Sequence, residues 1–396
     1  MCVLDDRSGA AIEVRGMLKA LAKAGWDAHA IQTTRFDGQA PYPLERLLDP
    51  ASLVPENRGR MFRFRAEGVE HRLFYAATAH EGGGIDPDEE YRFRERALAA
   101  LEHIRPDVVL TYGGSRFTRE LLEAARALCT RRVFFLANES YADGGSAEYL
   151  RGFDRIVVPS AFMRDYYRER VGLHCQVQRS LLDERYRVAP RQVRAVHEPE
   201  RRGEGFVTII NPALEKGLLL FARLAAMARR ERPDWRFLAV EGRRGREVWE
   251  RTGGLDNVRW LDNQADIRPV YARTSVLLFP SFWEEAAGRS IVEAQLAGIP
   301  VLAANHGGIP EQLNGGGFRF DIPERCRSDY AAMPTEDEVR PWFHRLERLM
   351  DDGEAYIEAS VRARRAAEAF RPERVEAEVV RQFESVLGRS TAWERR

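Results

Sequence analysis

The sequence predicts an α/β protein with two doubly wound domains, each containing a mostly parallel sheet covered by helices on both faces. Short apolar runs alternate with amphipathic helical segments in two parts of the chain. Such runs are typical of strands buried on both faces, because parallel strands are joined by crossover helices. The 396 residues are 44% hydrophobic and 10% aromatic, a composition that indicates a folded chain long enough for two domains.

The first domain is predicted to span residues 1–186 and to begin with a strand, a glycine-containing turn and a helix. Apolar residues recur at helical spacing from Ile12 to Ala22, and Gly25 ends that helix. Glu67-Gly68 lies between two alternating segments and predicts a β-hairpin. The predicted strands are Cys2–Leu4, Ala28–Thr33, Arg60–Phe64, Val69–Tyr75, Val108–Thr111, Arg132–Leu136 and Ile156–Val158, with further helices at Asp88–His103 and Phe117–Leu128.

The second domain is predicted at residues 206–370, after a linker at 187–205 that contains two prolines and is rich in arginine. A helix over Gly217–Glu231 follows its first strand, and residues 371–396 carry a final helix at about Pro372–Leu387. The predicted strands are Phe206–Ile210, Phe237–Val240, Val258–Leu261, Val276–Pro280 and Val301–Ala303.

Charge excludes one class of function. Lys+Arg and Asp+Glu both number 61, so the chain lacks the cationic surplus that holds a protein to nucleic acid. Only Lys19, Lys23 and Lys216 are lysines, and the other 58 of those cations are arginines.

The four cysteines are far apart and show no metal-ligand spacing, which argues against a disulfide framework or a structural zinc site. No apolar run is long enough to span a bilayer, and the N-terminal residues are not typical of a signal peptide. We therefore expect a soluble, cytoplasmic protein.

The stretch 277–321 contains the pattern with the clearest chemistry. A strand ends at Pro280-Ser281, and the small-residue turn 286–288 opens a helix that carries Ser290 and Glu293. Free backbone N–H groups at such a helix start bind anions. Glu285 and Glu293 are poor phosphate ligands, so we expect them to accept hydrogen bonds from sugar hydroxyls. The alternative interpretation is that both acids only stabilise the helix terminus.

Glu285-x7-Glu293 within PSFWEEAAGRSIVEAQLAGIPV, followed by HGGIPE, resembles the donor-binding signature of family 4 retaining glycosyltransferases. The resemblance spans roughly residues 206–385. It implies the GT-B fold, with two Rossmann-like domains on either side of a cleft and a C-terminal helix that crosses back to the first domain. The family's first Glu contacts the donor hexose, its second Glu contacts the ribose, and the turn amides hold the diphosphate. Position by position this implies Glu285, Ala287, Gly288, Arg289 and Glu293, although the family's usual EGFG reads EAAG here.

A second segment, INPALEKG, resembles the family's GRLxxxKG element, whose Arg and Lys meet the diphosphate. Lys216 matches that Lys, whereas Asn211 stands where the Arg would be. An ammonium beside a departing diphosphate stabilises the charge that develops in the transition state; the alternative is a solvated lysine at a helix start. The charge of the missing Arg would have to come from another residue. Candidates are Arg289 and the run Arg243, Arg244 and Arg246, although a solvated loop is the better interpretation of that run. The loop Asp262–Arg268 is expected to face the nucleotide base.

In the first domain the resemblance points to Gly9 as part of a loop near the donor phosphates. Tyr112 stands where the family often has a histidine, and it remains able to hydrogen-bond the sugar. Asn138, Glu139 and His80 are the acceptor-side candidates, with a surface-loop histidine as the alternative for His80.

Two further patterns have simpler explanations. Asp86-Pro87-Asp88 matches a metal-binding DxD motif, but it also fits a helix N-cap followed by proline, which accounts for every residue. The run Arg58–Arg65 alternates arginine with apolar residues, so it predicts either a contact with an anionic acceptor or lipid surface, or a hairpin strand with one solvated face.

Together these patterns predict a retaining glycosyltransferase that moves a hexose-type sugar from a UDP- or GDP-sugar to an acceptor hydroxyl. We expect Lys216, Glu285 and Tyr112 to act in catalysis. The expected partners are the donor and an acceptor that the sequence does not identify, with no cofactor or metal, no nucleic acid and no integral membrane segment, although peripheral membrane contact stays possible. The alternatives are a sugar-nucleotide epimerase and a catalytically silent nucleotide-sugar binder; a phosphorylase is disfavoured because no lysine follows Lys216.

Overall fold

The computed structural model describes residues 2–6, 8–36, 44–77, 86–113, 116–182, 205–242, 245–251, 253–264 and 266–388. The chain divides into two compact units. Unit 1 comprises Met1–Leu181 and Pro372–Arg396, and unit 2 comprises Leu182–Arg371. Apart from its last residue, the predicted linker at 187–205 lies outside the described residues.

The described residues of unit 1 form two sheets. Its strands are β1 (His29–Thr33), β2 (Met61–Ala66), β3 (Val69–Phe74), β4 (Val108–Thr111), β5 (Arg131–Phe135), β6 (Arg155–Val158) and β7 (Gln176–Val177). One sheet has the order β1-β3-β2, in which β1 is parallel to β3 and the predicted hairpin pairs β2 with β3. The other sheet is parallel throughout, in the order β4-β5-β6-β7.

The helices of unit 1 pack on these sheets. They are α1 (Gly9–Lys23), α2 (Pro87–Ile104), α3 (Arg116–Ala127), α4 (Gly144–Arg151), α5 (Ala161–Val171) and, at the end of the chain, α14 (Pro372–Val386). The final helix buries Val375, Val379 and Phe383 in the same core as α1, and the ring of Phe383 meets Trp26 edge to face. The final helix is therefore part of the unit 1 core.

Unit 2 has one six-stranded parallel sheet in the order β10-β9-β8-β11-β12-β13. Its strands are β8 (Phe206–Ile210), β9 (Arg236–Val240), β10 (Val258–Leu261), β11 (Thr274–Phe279), β12 (Val301–Ala304) and β13 (Phe318–Phe320). Its helices are α6 (Leu218–Glu231), α7 (Arg246–Arg251), α8 (Arg268–Tyr271), α9 (Arg289–Leu296), α10 (Ile309–Leu313), α11 (Glu324–Ser328), α12 (Glu336–Asp351) and α13 (Gly353–Ala367). The predicted α/β class with parallel sheets is confirmed, and the central strands are buried on both faces as their apolar composition indicated.

Two strand predictions need correction. Cys2–Leu4 is a turn closed by a hydrogen bond from the Asp5 N–H to the Cys2 carbonyl. The Val3 N–H donates to the side chain of Gln32 at 2.9 Å and so does not join a strand ladder. The predicted buried strand Val108–Thr111 forms as β4, but it is only half-buried because it is the edge strand of its described sheet.

Candidate functional site

The loop that carries Glu285 connects β11 to α9 in unit 2, and a glycine pair fixes its backbone. The Gly308 N–H donates to the Glu285 carbonyl at 2.7 Å. A Cβ added at Gly307 would lie 2.8 Å from the Glu285 nitrogen, and one at Gly308 would lie 2.4 Å from the Ala286 carbonyl oxygen. Glycine is required at both positions, because any side chain there would displace the loop.

Lys216 lies in the turn between β8 and α6, directly beside that loop. The backbone N–H groups of Phe282 and Trp283 both donate to the Glu215 carbonyl, at 2.9 and 3.0 Å. Gly217 has a φ of +82°, and a Cβ added there would lie 2.0 Å from the Pro280 carbonyl oxygen. The turn and the loop therefore pack backbone against backbone, since their strands β8 and β11 are neighbours in the sheet.

This packing brings two of the residues predicted to act on the donor, Lys216 and Glu285, into contact. The Lys216 Nζ lies 2.6 Å from the Glu285 Oε1, and the Ser281 hydroxyl lies 3.1 Å from the same oxygen. The Lys216 side chain is 26% exposed and that of Glu285 is 13% exposed. An ammonium group has three N–H donors, so Lys216 can hold Glu285 and still bind an anion that reaches the pair from solvent.

Glu293 lies on the first turns of α9 and is nearly buried. Its carboxylate accepts hydrogen bonds from the Arg289 Nε at 2.9 Å and from the Tyr271 hydroxyl at 2.8 Å. Arg289, one candidate for the missing diphosphate charge, is therefore engaged with a carboxylate in this structure. Gly288 caps α9, and Ala287 and Ser290 are half-buried on either side of it at the helix start.

Asn211 occupies a position that an arginine would fit poorly. Its φ is +59°, a left-handed conformation that asparagine tolerates better than most side chains. Its Oδ1 packs so closely on Gly242 that a Cβ there would lie 1.9 Å away. Arg246 is paired with Glu241 at 3.1 Å and with Asp262, while Arg243 and Arg244 lie outside the described residues. These arrangements do not identify a replacement for the missing arginine.

The candidate residues of unit 1 follow the ends of strands or begin a helix. Tyr112 directly follows β4 and packs, half-buried, against the core of that unit. Asn138 lies beyond the neighbouring strand β5, where its Oδ1 accepts from the Ser140 N–H and its carbonyl accepts from the Tyr167 hydroxyl. Tyr112 and Asn138 therefore lie at the same edge of one sheet, with Glu139 half-buried next to Asn138.

Gly9 is exposed at the first position of α1. A Cβ added there would meet no atom within 4 Å, so packing does not explain a glycine at this position. His80 lies outside the described residues.

The capping interpretation of the DxD pattern is confirmed, because the Asp86 side chain accepts from the N–H groups of Asp88 and Glu89 at the start of α2. Among the described residues, no three His, Cys, Asp or Glu side chains are grouped to hold a metal ion. In β2 the basic run has the alternation expected of a hairpin, with Arg63 and Arg65 exposed and Phe62 and Phe64 half-buried. None of the described helices is both long and apolar enough to cross a membrane.

Sequence analysis missed His306, whose side chain hydrogen-bonds the loop that carries Glu285. The His306 Nε2 lies 2.7 Å from the Ser281 carbonyl oxygen, so it must carry the proton and donate. Burial lowers the pKa of His306 from its ordinary value of 6.5, with the positive charge of Arg327 adding to the effect. The HGGIPE motif contains this histidine, but the local sequence does not report its hydrogen bond to Ser281.

The depressed pKa of His306 predicts a loss of stability in acid. The unfolded histidine binds a proton at about pH 6.5, whereas the folded one resists protonation, so this contribution is complete above pH 6.5 and is lost as the pH falls. His306→Gln can still donate to Ser281 but cannot titrate. We expect urea unfolding between pH 7.5 and 5 to show a shallower decline for His306→Gln than for the wild type; equal slopes would contradict the assignment. His71→Gln, which removes a second histidine whose pKa burial lowers, provides the comparison in unit 1.

Parts of this chain are similar to known glycosyltransferases. Residues 205–352 match the family model of the glycosyl transferases group 1, a region that contains Lys216, Glu285 and Glu293. A D-inositol 3-phosphate glycosyltransferase of Segniliparus rotundus is 31% identical over 150 residues, which cover 34% of this chain and 33% of that protein. The match thus spans about a third of the length of that relative.

Solved structures align along nearly the whole chain. Sucrose-phosphate synthase from Thermosynechococcus elongatus aligns with a TM-score of 0.67 at 16% identity, covering 97% of this chain and 94% of the other. Anabaena HepE in complex with UDP-glucose aligns with a TM-score of 0.63 at 16% identity, covering 94% and 95%. The fold is GT-B. Within this GT-B chain the family match lies in unit 2, where the contact between Lys216 and Glu285 was found.

Proposed function

We propose that this GT-B protein is a retaining glycosyltransferase that moves a hexose-type sugar from a UDP- or GDP-sugar to an acceptor hydroxyl. The observation that carries the proposal is the 2.6 Å contact between Lys216 and Glu285. It places a cation and a carboxylate, which are 69 positions apart in the chain, beside the N-terminus of α9. The match of residues 205–352 to the family model of the glycosyl transferases group 1 supports the proposal.

Lys216 and the first amides of α9 have the chemistry that a departing diphosphate needs. As the bond between the anomeric carbon and the phosphate oxygen breaks, its electron pair goes to the phosphate and negative charge grows there. An ammonium and the N–H groups of a helix start stabilise that charge without reorganising. The acceptor oxygen bonds to the anomeric carbon, and the hydroxyl proton ends on the released nucleotide diphosphate.

Glu285 and Glu293 divide the recognition of the donor in this proposal. Glu285 is half-buried and accepts from hydroxyls of the transferred sugar, while its contact with Lys216 orients the carboxylate. Glu293 is deeper and is oriented by Arg289 and Tyr271, so its remaining acceptor positions suit the ribose. The family resemblance supplies these roles and the retained configuration, and the observed positions are compatible with them.

A panel of nucleotide sugars tests the proposed function. We expect at least one UDP- or GDP-sugar to raise the unfolding temperature and to release its nucleotide slowly in the absence of acceptor. UDP-glucose is the first probe, since HepE was solved with it. A silent binder would show saturable stabilisation without nucleotide release, and an epimerase would convert the sugar without releasing it. NMR of the transferred anomeric proton tests retention.

The division of roles predicts different effects of two isosteric substitutions. Glu293→Gln should weaken free UDP or GDP binding about tenfold, because a ribose hydrogen bond to a charged acceptor is lost. Glu285→Gln should leave free-nucleotide affinity within about twofold and reduce affinity for the intact sugar nucleotide about tenfold. Calorimetric titration measures both, with Glu336→Gln, which breaks a surface pair with Arg230, as the control. Equal losses of free-nucleotide affinity in both variants would show that the roles are not divided.

A further inference from the structure

Trp283 exposes its indole two residues before Glu285. The residue is 38% exposed, and its ring meets Tyr330 edge to face at a centroid distance of 6.4 Å and an angle of 64°. Within the described ranges the indole N–H has no hydrogen-bond partner. We refer to Trp283 and Tyr330 together as the aromatic platform. Among the described residues few large apolar side chains are exposed, and Trp283 is the one tryptophan among them.

The platform is held rigidly beside the Lys216–Glu285 pair. The Trp283 N–H donates to the Glu215 carbonyl at 3.0 Å, and the Trp283 carbonyl lies 3.0 Å from the Ser281 hydroxyl. That hydroxyl also lies 3.1 Å from the Glu285 carboxylate. Two residues of extended chain span at most about 7 Å, so a ligand that contacts Glu285 and extends by one sugar ring can reach the platform.

Tyr330, the second aromatic residue of the platform, lies in a hydrogen-bonded turn. The Asp329 side chain accepts from the Ala331 N–H at 2.9 Å, and the Asp329 carbonyl accepts from the Ala332 N–H at 3.0 Å. Tyr330 lies between these residues. Close to the platform in sequence, Arg327 pairs with Glu284 at 2.8 Å. Apolar ring surface and charged hydrogen-bonding groups are therefore adjacent.

We propose that the aromatic platform binds a pyranose ring of the acceptor, so that the acceptor is a saccharide or carries a terminal sugar. A pyranose has a face of C–H groups that packs on an aromatic ring and a rim of hydroxyls that hydrogen-bonds charged groups. The platform with its ion pair matches both, whereas an acyl chain would need a continuous apolar groove. This inference rests on the proposed function, because it assigns the sugar to the acceptor of that reaction.

Burial assigns the platform to the acceptor and not to the donor. Glu285, the donor-sugar residue in this proposal, is half-buried, whereas Trp283 in the same loop is exposed. A donor held by Lys216 and Glu285 occupies the more enclosed position. The next sugar outward, whose hydroxyl attacks, then lies against Trp283.

Saturation-transfer NMR tests the platform without nucleotide. The probe is a mixture of methyl α- and β-glycosides of glucose, galactose, mannose and N-acetylglucosamine. We expect ring protons of at least one glycoside to receive saturation from the wild type, with at least a fivefold loss in Trp283→Ala and in Tyr330→Ala and near-full retention in Trp283→Phe. Ile357→Ala, which removes an exposed apolar side chain from α13, is the matched control and should leave the signal unchanged. The Tyr330 variant tests the same surface independently if Trp283→Ala does not fold.

Nucleotide-sugar hydrolysis by the same variants separates this inference from the proposed function. We expect Trp283→Ala to keep acceptor-independent hydrolysis within about threefold while losing glycoside binding. Absence of glycoside saturation in the wild type, or its persistence in both alanine variants, overturns the platform assignment. Loss of hydrolysis together with glycoside binding in a folded Trp283→Ala also overturns it, because the ring would then serve the donor. Failure of the wild type to bind or hydrolyse any nucleotide sugar overturns the proposed function instead, together with the acceptor role that rests on it.

Discussion

Replacing Lys216 with alanine is expected to reduce nucleotide-sugar turnover by about 10²–10³-fold, the usual cost of removing one group that stabilises transition-state charge. Folding should be little affected. The Lys216 side chain is 26% exposed, and a partly exposed ion pair contributes about 1 kcal/mol or less. For a domain of this size that corresponds to a fall of about 2–4 °C in the unfolding temperature. Ser281 remains to hydrogen-bond Glu285 after the substitution.

Two variants control this experiment. Lys216→Arg keeps the charge but replaces a compact ammonium with a planar group, so it should retain more activity than the alanine variant without restoring it fully. Lys19→Ala removes an exposed lysine that pairs with Glu67 in unit 1 and should leave turnover unchanged. Nucleotide release at saturating donor measures all three, and calorimetric unfolding shows whether they are folded. Near-normal turnover by folded Lys216→Ala would remove the basis of the proposed mechanism.

The sequence identified Lys216 and Glu285 separately, but not their contact. Each residue stood out locally, one as a rare lysine before a glycine and the other in a strand–turn–helix pattern. Their contact depends on β8 lying beside β11, although β9 and β10 come between them in the chain. Periodicity shows where strands begin and end, but it contains no information on their order in a parallel sheet.

Predictions failed where single side chains replaced regular backbone pairing. Cys2–Leu4 is as apolar as a strand, yet the amide side chain of Gln32 takes the hydrogen bond of Val3. The role of His306 depends on a part-buried hydrogen bond to Ser281, 25 positions away, and no local pattern reports it. Trp283 was part of the quoted motif, but its exposure could be seen only after folding. Apolar residues are expected in the core, so the sequence did not show that Trp283 is exposed.

The short strand β13 and the helices α12 and α13 were also not placed individually. β13 has three residues, Phe318–Phe320, after a run of glycines, which is too short for a periodic signal. By contrast, α6 was predicted because a long apolar stretch fills it, and α9 was predicted because a small-residue turn precedes it. An element could be predicted from the sequence when it was long enough to show a periodic pattern or was preceded by a recognisable turn.

Gly217→Ala is expected to destabilise unit 2 by about 3–5 kcal/mol, which is among the largest effects of a single substitution. The residue has a φ of +82°, which disfavours any Cβ, and the new methyl would lie 2.0 Å from the Pro280 carbonyl oxygen. That oxygen belongs to rigid backbone at the end of β11 and cannot rotate away as a side chain would. Relief requires the turn that holds Lys216 to separate from the loop that holds Glu285, so both stability and donor binding should fall.

Gly315→Ala separates the close approach from the backbone strain. Gly315 has a nearly identical φ of +79°, but a Cβ there would meet no atom within 4 Å. Only the left-handed conformation is then penalised, at about 1–2 kcal/mol. Urea unfolding of both variants measures the difference, which should be at least about 2 kcal/mol and should be accompanied by loss of nucleotide-sugar stabilisation in Gly217→Ala alone. Equal destabilisation of the two variants would show that the contact between Gly217 and Pro280 does not hold the Lys216 turn against the Glu285 loop.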